Sequence, residues 1–197
     1  MPALIRDDAG CTVCLVSPAV LMQRPRPLAR LSRSFRPSEH GARFRAAEEA
    51  ESRSTAEGRI LIVDDESAIR LVCQLNLDSV GFQTLEASDG ETALTLARME
   101  QPDLILLDVM LPGIDGWRVA EELAASPQTR EIPILFLSAR SDRADEERGH
   151  EVGGLGYITK PFDPEELIAR VRDVLERTTR GEREALRREW RERLQSP

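Results

Sequence analysis

From residue 58 onward, short apolar runs alternate with longer amphipathic stretches. Ile60-Leu61-Ile62-Val63, Leu104-Ile105-Leu106-Leu107 and Ile132-Pro133-Ile134-Leu135-Phe136-Leu137 are each bounded by polar or turn-forming residues. They are too short for buried helices and read as strands covered on both faces of a parallel sheet. Phe82 to Ala87 and Leu155 to Thr159 read as two further, weaker strands. The intervening segments have helical periodicity over 67–79, 90–100, 116–125, 142–152 and from Pro164, where Leu167, Ile168, Val171, Val174 and Leu175 share a face. Their ends carry matching signals. Gly81 closes the first helix, Asp89 or Ser88 caps the second, Pro102 ends it, Asp115 caps the third, and Asp163 with Pro164 opens the last. Five strands alternating with five helices predict a doubly wound α/β domain around a five-stranded parallel sheet.

The flanks follow different rules. Residues 1–57 are rich in Arg, Pro, Ser and Ala without sustained periodicity, which predicts a disordered basic extension. Residues 178–197 predict a charged helical tail with Leu186, Trp190 and Leu194 in four-residue steps and a break near Gly181. The division is therefore 1–57, 58–177 and 178–197. Cys11, Cys14 and Cys73 are odd in number and suggest no disulfide framework or metal site. No apolar run is long enough to cross a bilayer, and a cytoplasmic protein is expected.

Charge narrows the chemistry. The net charge is -8, and residues 58–177 hold twelve more acids than bases, unlike a nucleic-acid-binding surface. Lys160 is the only lysine in a chain that otherwise uses arginine. That exception suggests a position needing a compact ammonium instead of a planar fork.

In an open parallel sheet, ligands gather outside the carboxyl ends of the strands. Asp64, Asp65, Asp108, Ser138 and Lys160 all fall at such ends. Singly, each could be a helix cap or a loop residue. Together, clustered carboxylates invite a hard divalent cation, magnesium or manganese, with Asp108 left as nucleophile. Lys160 and the Ser138 hydroxyl would then receive the remaining oxygens of a transferred phosphoryl group.

Asp64-Asp65, the segment Asp108-Val109-Met110-Leu111-Pro112-Gly113-Ile114-Asp115-Gly116, Ser138-Ala139 and Lys160-Pro161-Phe162 resemble, in order and spacing, the receiver domain of two-component response regulators. The resemblance covers 58–177 and implies the flavodoxin-like receiver fold. It implies that a sensor histidine kinase or histidine phosphotransferase donates a phosphoryl group to Asp108. It also implies magnesium on Asp65, Asp108 and the Met110 carbonyl, and on Asp64 partly through water. Ser138 and Tyr157 are implied as switch residues, Tyr157 turning inward on phosphorylation, with Met110 and Arg140 tuning dephosphorylation. One departure stands out: Gly153-Gly154-Leu155-Gly156 replaces the Gly-Ala-Asp-Asp of many receivers.

The resulting expectation is a phosphoacceptor signalling protein, not an enzyme acting on other substrates. It would have no output or DNA-binding domain and would act by phosphorylation-dependent contact with a downstream protein. The 142–177 face is a candidate for homodimer contact. The alternatives are a nucleic-acid-associated regulator using the Arg-rich arm, or a phosphorelay intermediate or phosphate sink.

Overall fold

A computed structural model describes residues 57–139 and 142–195. Five strands form one parallel sheet: β1 (Arg59–Val63), β2 (Gln83–Ala87), β3 (Leu104–Asp108), β4 (Ile134–Ser138) and β5 (Gly156–Thr159), in the order β2-β1-β3-β4-β5. Among the described residues, six helices accompany them: α1 (Ser67–Ser79), α2 (Gly90–Glu100), α3 (Gly116–Ala125), α4 (Arg143–Glu151), α5 (Pro164–Thr179) and α6 (Arg183–Gln195). The predicted doubly wound architecture is the one observed.

The apolar runs are continuous because both faces of the sheet are covered. Successive side chains of a strand point to opposite faces. Leu61, Val63, Ile105, Leu107, Ile134 and Phe136 enter one core with Val119, Ala120 and Leu123 of α3. Ile60, Ile62, Leu104, Leu106, Leu135 and Leu137 enter the other with Cys73 and Leu77 of α1 and Leu167 and Val171 of α5. Burial pushes the Cys73 thiol up to about 12, which keeps it unreactive.

Predicted caps form as chemistry requires. Asp89, Asp115 and Asp163 each accept a backbone N–H of the helix that follows, and Asp142, which the sequence placed inside its helix, caps it in the same way. The strand starts shift slightly. Phe82 spends its N–H on the Leu77 carbonyl, closing α1, so β2 begins one residue later. Ile132 bonds back to Thr129 and Pro133 has no N–H to give, so β4 begins at Ile134.

The tail breaks at Gly181, whose φ of 77° favours glycine, and turns back on its own domain. Helix α6 packs on α4, β5 and α5, and buries Leu186 and Trp190. Part of the face read from sequence as a dimer surface thus already carries α6. His150 of α4 lies buried beneath it, edge-on to Trp190 at 5.5 Å, and donates from Nε2 to the Arg187 carbonyl at 3.0 Å.

Burial pushes the His150 pKa below its ordinary 6.5; Arg187 and Arg191 push the same way, opposed by the Arg187 carbonyl and Glu151. The unfolded chain therefore takes up a proton that the folded chain refuses as pH falls through 6.5. This contribution to stability is complete above that pH and is lost below it. The melting temperature should fall on acidification below pH 6.5, and less so in His150→Asn; identical slopes for both proteins would contradict this.

Candidate functional site

The strand order brings the chemistry together. β1 and β3 are neighbours in register, with Val63 beside Leu107, so the residues that follow, Asp64 and Asp108, stand side by side at the carboxyl edge. β4 and β5 follow, with Ser138 beside Thr159, and Lys160 comes next. The Lys160 N–H donates to the Ser138 carbonyl at 2.7 Å, and the Lys160–Pro161 peptide is cis.

From there the Lys160 ammonium reaches across β4 to two carboxylates. Its Nζ lies 2.9 Å from Asp108 Oδ2 and 2.5 Å from Asp64 Oδ2. One carboxylate oxygen from each of Asp64, Asp65 and Asp108 falls within 4.8 Å of the others. Asp64 is 0% exposed, Asp108 is buried and Asp65 is exposed, so the cluster has a solvent-facing mouth.

Three acids answered by one ammonium leave the group short of positive charge. Burial dominates at Asp64 and pushes its carboxyl up, despite Lys160 and the Glu66 N–H, which pull it down. For Lys160, burial alone would lower the pKa, but its bonds to Asp64 and Asp108 outweigh that and raise it. An all-oxygen donor set with this deficit fits a hard divalent cation.

Backbone geometry holds the acids in place. Asp64 Oδ1 accepts the Glu66 N–H at 3.0 Å, and Asp108 Oδ1 accepts the Met110 N–H at 3.1 Å. The Met110 side chain lies exposed on the same loop. Arg70, which sequence reasoning misses, donates from Nη1 to the Asp64 and Asp65 carbonyls at 2.7 and 3.2 Å and pairs with Glu86. Its position one turn into α1, directly after the paired acids, is the available signal.

Gly116 is a second residue of the site that side-chain chemistry does not mark. A Cβ there would lie 2.1 Å from the Asp108 carbonyl oxygen and 2.9 Å from Val109 Cα, and the Gly116 N–H donates to the Val109 carbonyl at 3.0 Å. Only glycine permits this approach. Gly116→Ala must push α3 or the Asp108 backbone aside, with an expected cost of about 1–3 kcal/mol. Chemical denaturation would measure it, and a variant as stable as the natural protein would refute the contact.

Ser138 is fully buried at the end of β4, and its hydroxyl is hydrogen-bonded with that of Tyr157. Tyr157 is itself only 7% exposed and packs against Phe136 at 6.4 Å. The Tyr157 ring is thus buried in this structure. Arg140, Cys11, Cys14 and the Arg-rich arm lie outside the described residues. No described helix is long and apolar enough to cross a membrane.

Residues 60–172 match the family model for the response regulator receiver domain. The chain is 47% identical over 120 residues to the alkaline phosphatase synthesis transcriptional regulatory protein PhoP of Bacillus subtilis, covering 61% of this chain and 49% of that protein. It is 45% identical over 122 residues to the DNA-binding dual master transcriptional regulator RpaA of Synechocystis, covering 62% and 51%. A putative response regulator from Chloroflexus aurantiacus superposes with a TM-score of 0.59 at 38% identity, covering 61% of this chain and 98% of that one. For the chemotaxis response regulator CheY4 of Vibrio cholerae the values are 0.57, 31%, 61% and 98%.

These findings correct one expectation. A receiver without an output or DNA-binding domain, signalling by protein contact alone, is not what the relatives suggest. They are named transcriptional regulators, and the chain spans about half the length of each. Reading the output from the length of the chain is the step that fails. Sheet order, clustered acids, solitary lysine and family match agree: the chain belongs to the response regulator receiver domain family.

Proposed function

We propose that this chain is the phosphoacceptor part of a transcriptional regulator, with Asp108 as the residue modified. The observation that carries the reading is the position of its only lysine, ion-paired to both Asp108 and Asp64, with Asp65 completing the acidic group.

The donor is a phosphohistidine on a sensor kinase or phosphotransferase. An Asp108 carboxylate oxygen attacks phosphorus, the phosphorus–nitrogen bond breaks, and the imidazole keeps the electron pair and takes a proton from solvent. Lys160 neutralises charge gathering on the phosphoryl oxygens, and the Ser138 hydroxyl is available to one of them. Magnesium held by Asp65, Asp108 and the Met110 carbonyl, and by Asp64 through water, would supply the remaining charge compensation. The transfer is self-directed, and hydrolysis of the aspartyl phosphate resets the site, with Met110 and Arg140 setting access of water.

The product carries charge near -2 at the sheet edge. The transcriptional names of the relatives favour DNA-linked output over a relay or phosphate sink. Because the described body is acidic, DNA contact is assigned outside it. Such a protein works in the cytoplasm, where donor and DNA are both accessible.

The test begins with magnesium and acetyl phosphate. One phosphoryl group should be gained, and borohydride reduction followed by peptide mapping should place it at Asp108. Salt-sensitive DNA binding by the natural full-length protein should then change with phosphorylation. Loss of that binding on deleting residues 1–57 would assign it to the Arg-rich arm. Label elsewhere than Asp108 would overturn the proposal.

A further inference from the structure

Helix α6 lies beyond the matched family segment, yet its Trp190 is 3% exposed and shares the core beneath the sheet with Tyr157. We propose that α6 is a displaceable helix: it occupies the α4–β5 edge while Asp108 is unmodified, and phosphorylation of Asp108 unseats it. The inference rests on the phosphoacceptor reading of Asp108.

The connection is a continuous set of packed groups. The Ser138 hydroxyl bonds with Tyr157, Tyr157 packs on Phe136, and Phe136 lies 4.8 Å from Trp117. These rings meet α6 at Gly149 of α4. A Cβ there would lie 3.1 Å from Phe136, 3.2 Å from Trp190 and 3.3 Å from Trp117. The missing side chain is what lets Trp190 into the cluster. Such packing leaves little free volume, so a ring that moves must move its neighbours.

A phosphoryl group supplies new acceptors at the sheet edge, where Ser138 ends β4. When the Ser138 hydroxyl turns toward one, Tyr157 loses its partner inside an apolar cluster, which favours repacking. The element that yields most easily is α6. Its apolar stripe is only Leu186, Trp190 and Leu194, the last partly buried. Trp190 Nε1 and Arg187 Nε are buried without an acceptor among the described residues, so the seat forgoes hydrogen bonds that water would provide. What else holds it is a pair of bonds with His150, one to the Arg187 carbonyl and one from Arg187 Nη2, both 3.0 Å, and surface contacts: Arg177 grips Glu189 at 2.6 and 2.7 Å, and Arg183 donates to the Glu131 carbonyl.

The test uses the full chain with magnesium and acetyl phosphate. Trp117→Phe leaves Trp190 as the only tryptophan. Its emission should shift to the red, and amides of 183–195 should exchange about tenfold faster, both in proportion to the mass gained. Because coupling between two equilibria is reciprocal, loosening α6 should raise steady-state phosphoryl occupancy several-fold. Trp190→Ala tests this through the core, and Glu189→Arg tests it by breaking the surface clamp alone. Full phosphorylation with unchanged Trp190 emission and α6 exchange would overturn the inference and leave the Asp108 reading standing, as would unaltered occupancy in Glu189→Arg. Absence of any mass gain would instead strike the Asp108 reading, and this one with it.

Discussion

Asp108→Asn should reduce phosphoryl uptake to background without unfolding the protein. The amide is isosteric with the carboxylate but lacks the anionic oxygen that attacks phosphorus. Lys160 loses one ionic partner and keeps Asp64 at 2.5 Å. Removing one of three carboxylates that lie within 4.8 Å also relieves repulsion. In the absence of divalent cations, the variant should therefore melt no lower than the natural protein. Mass spectrometry after acetyl phosphate treatment checks the first statement, and thermal melting with a chelator present checks the second. Undiminished labelling would shift attention to Asp65, the exposed member of the group. A large drop in melting temperature would mean that Asp108 is held for stability and not for chemistry.

Lys160→Met should have the largest effect on folding. The methionine stem fills similar space, but Asp64, with no solvent exposure, loses the only cation that pairs with it among the described residues. Breaking one side of a buried ion pair costs about 3–5 kcal/mol, more than replacing both partners would. Adding magnesium should recover part of that loss, because the metal would take up the role the ammonium vacated. The variant's stability should thus depend more steeply on magnesium than the natural protein's. Lys160→Arg should fall between the two. It keeps the charge, yet a planar guanidinium cannot copy a single nitrogen placed 2.5 and 2.9 Å from two different carboxylates. Urea unfolding with and without magnesium would rank the three proteins. A Lys160→Met variant as stable as the natural protein in a chelator would show that Asp64 is already neutral in the fold, and would remove the electrostatic reason for a solitary lysine at this position.

Much of the site was legible because the parallel sheet converts sequence position into spatial position. An apolar run buried on both faces must end somewhere, and a residue following such an end lies on a shared edge. Asp64, Asp65, Asp108, Ser138 and Lys160 can therefore be grouped together before any distance is known. Arg70 and Gly116 cannot, since their importance lies in backbone carbonyls that no side-chain pattern marks. The tail shows the same limit. Leu186, Trp190 and Leu194 announce an apolar stripe, and Gly181 a break, but a stripe specifies only that something must cover it. Likewise Gly153-Gly154-Leu155-Gly156 reads only as a departure from the family pattern, while in the fold a Cβ on Gly154 would lie 2.6 Å from the Phe136 ring.

By itself, then, the sequence determined the strands, the helices, their caps and the set of residues at the sheet's carboxyl edge, because periodicity and capping are local and a parallel sheet leaves few ways to connect them. Only the tertiary structure decided that Lys160 binds Asp64 as well as Asp108, that Tyr157 is buried against Phe136, and that α6 folds back to put Trp190 beside Phe136 and Trp117. Those outcomes depend on which surfaces meet across dozens of residues, where close packing and buried charge, and not local preference, select the partner.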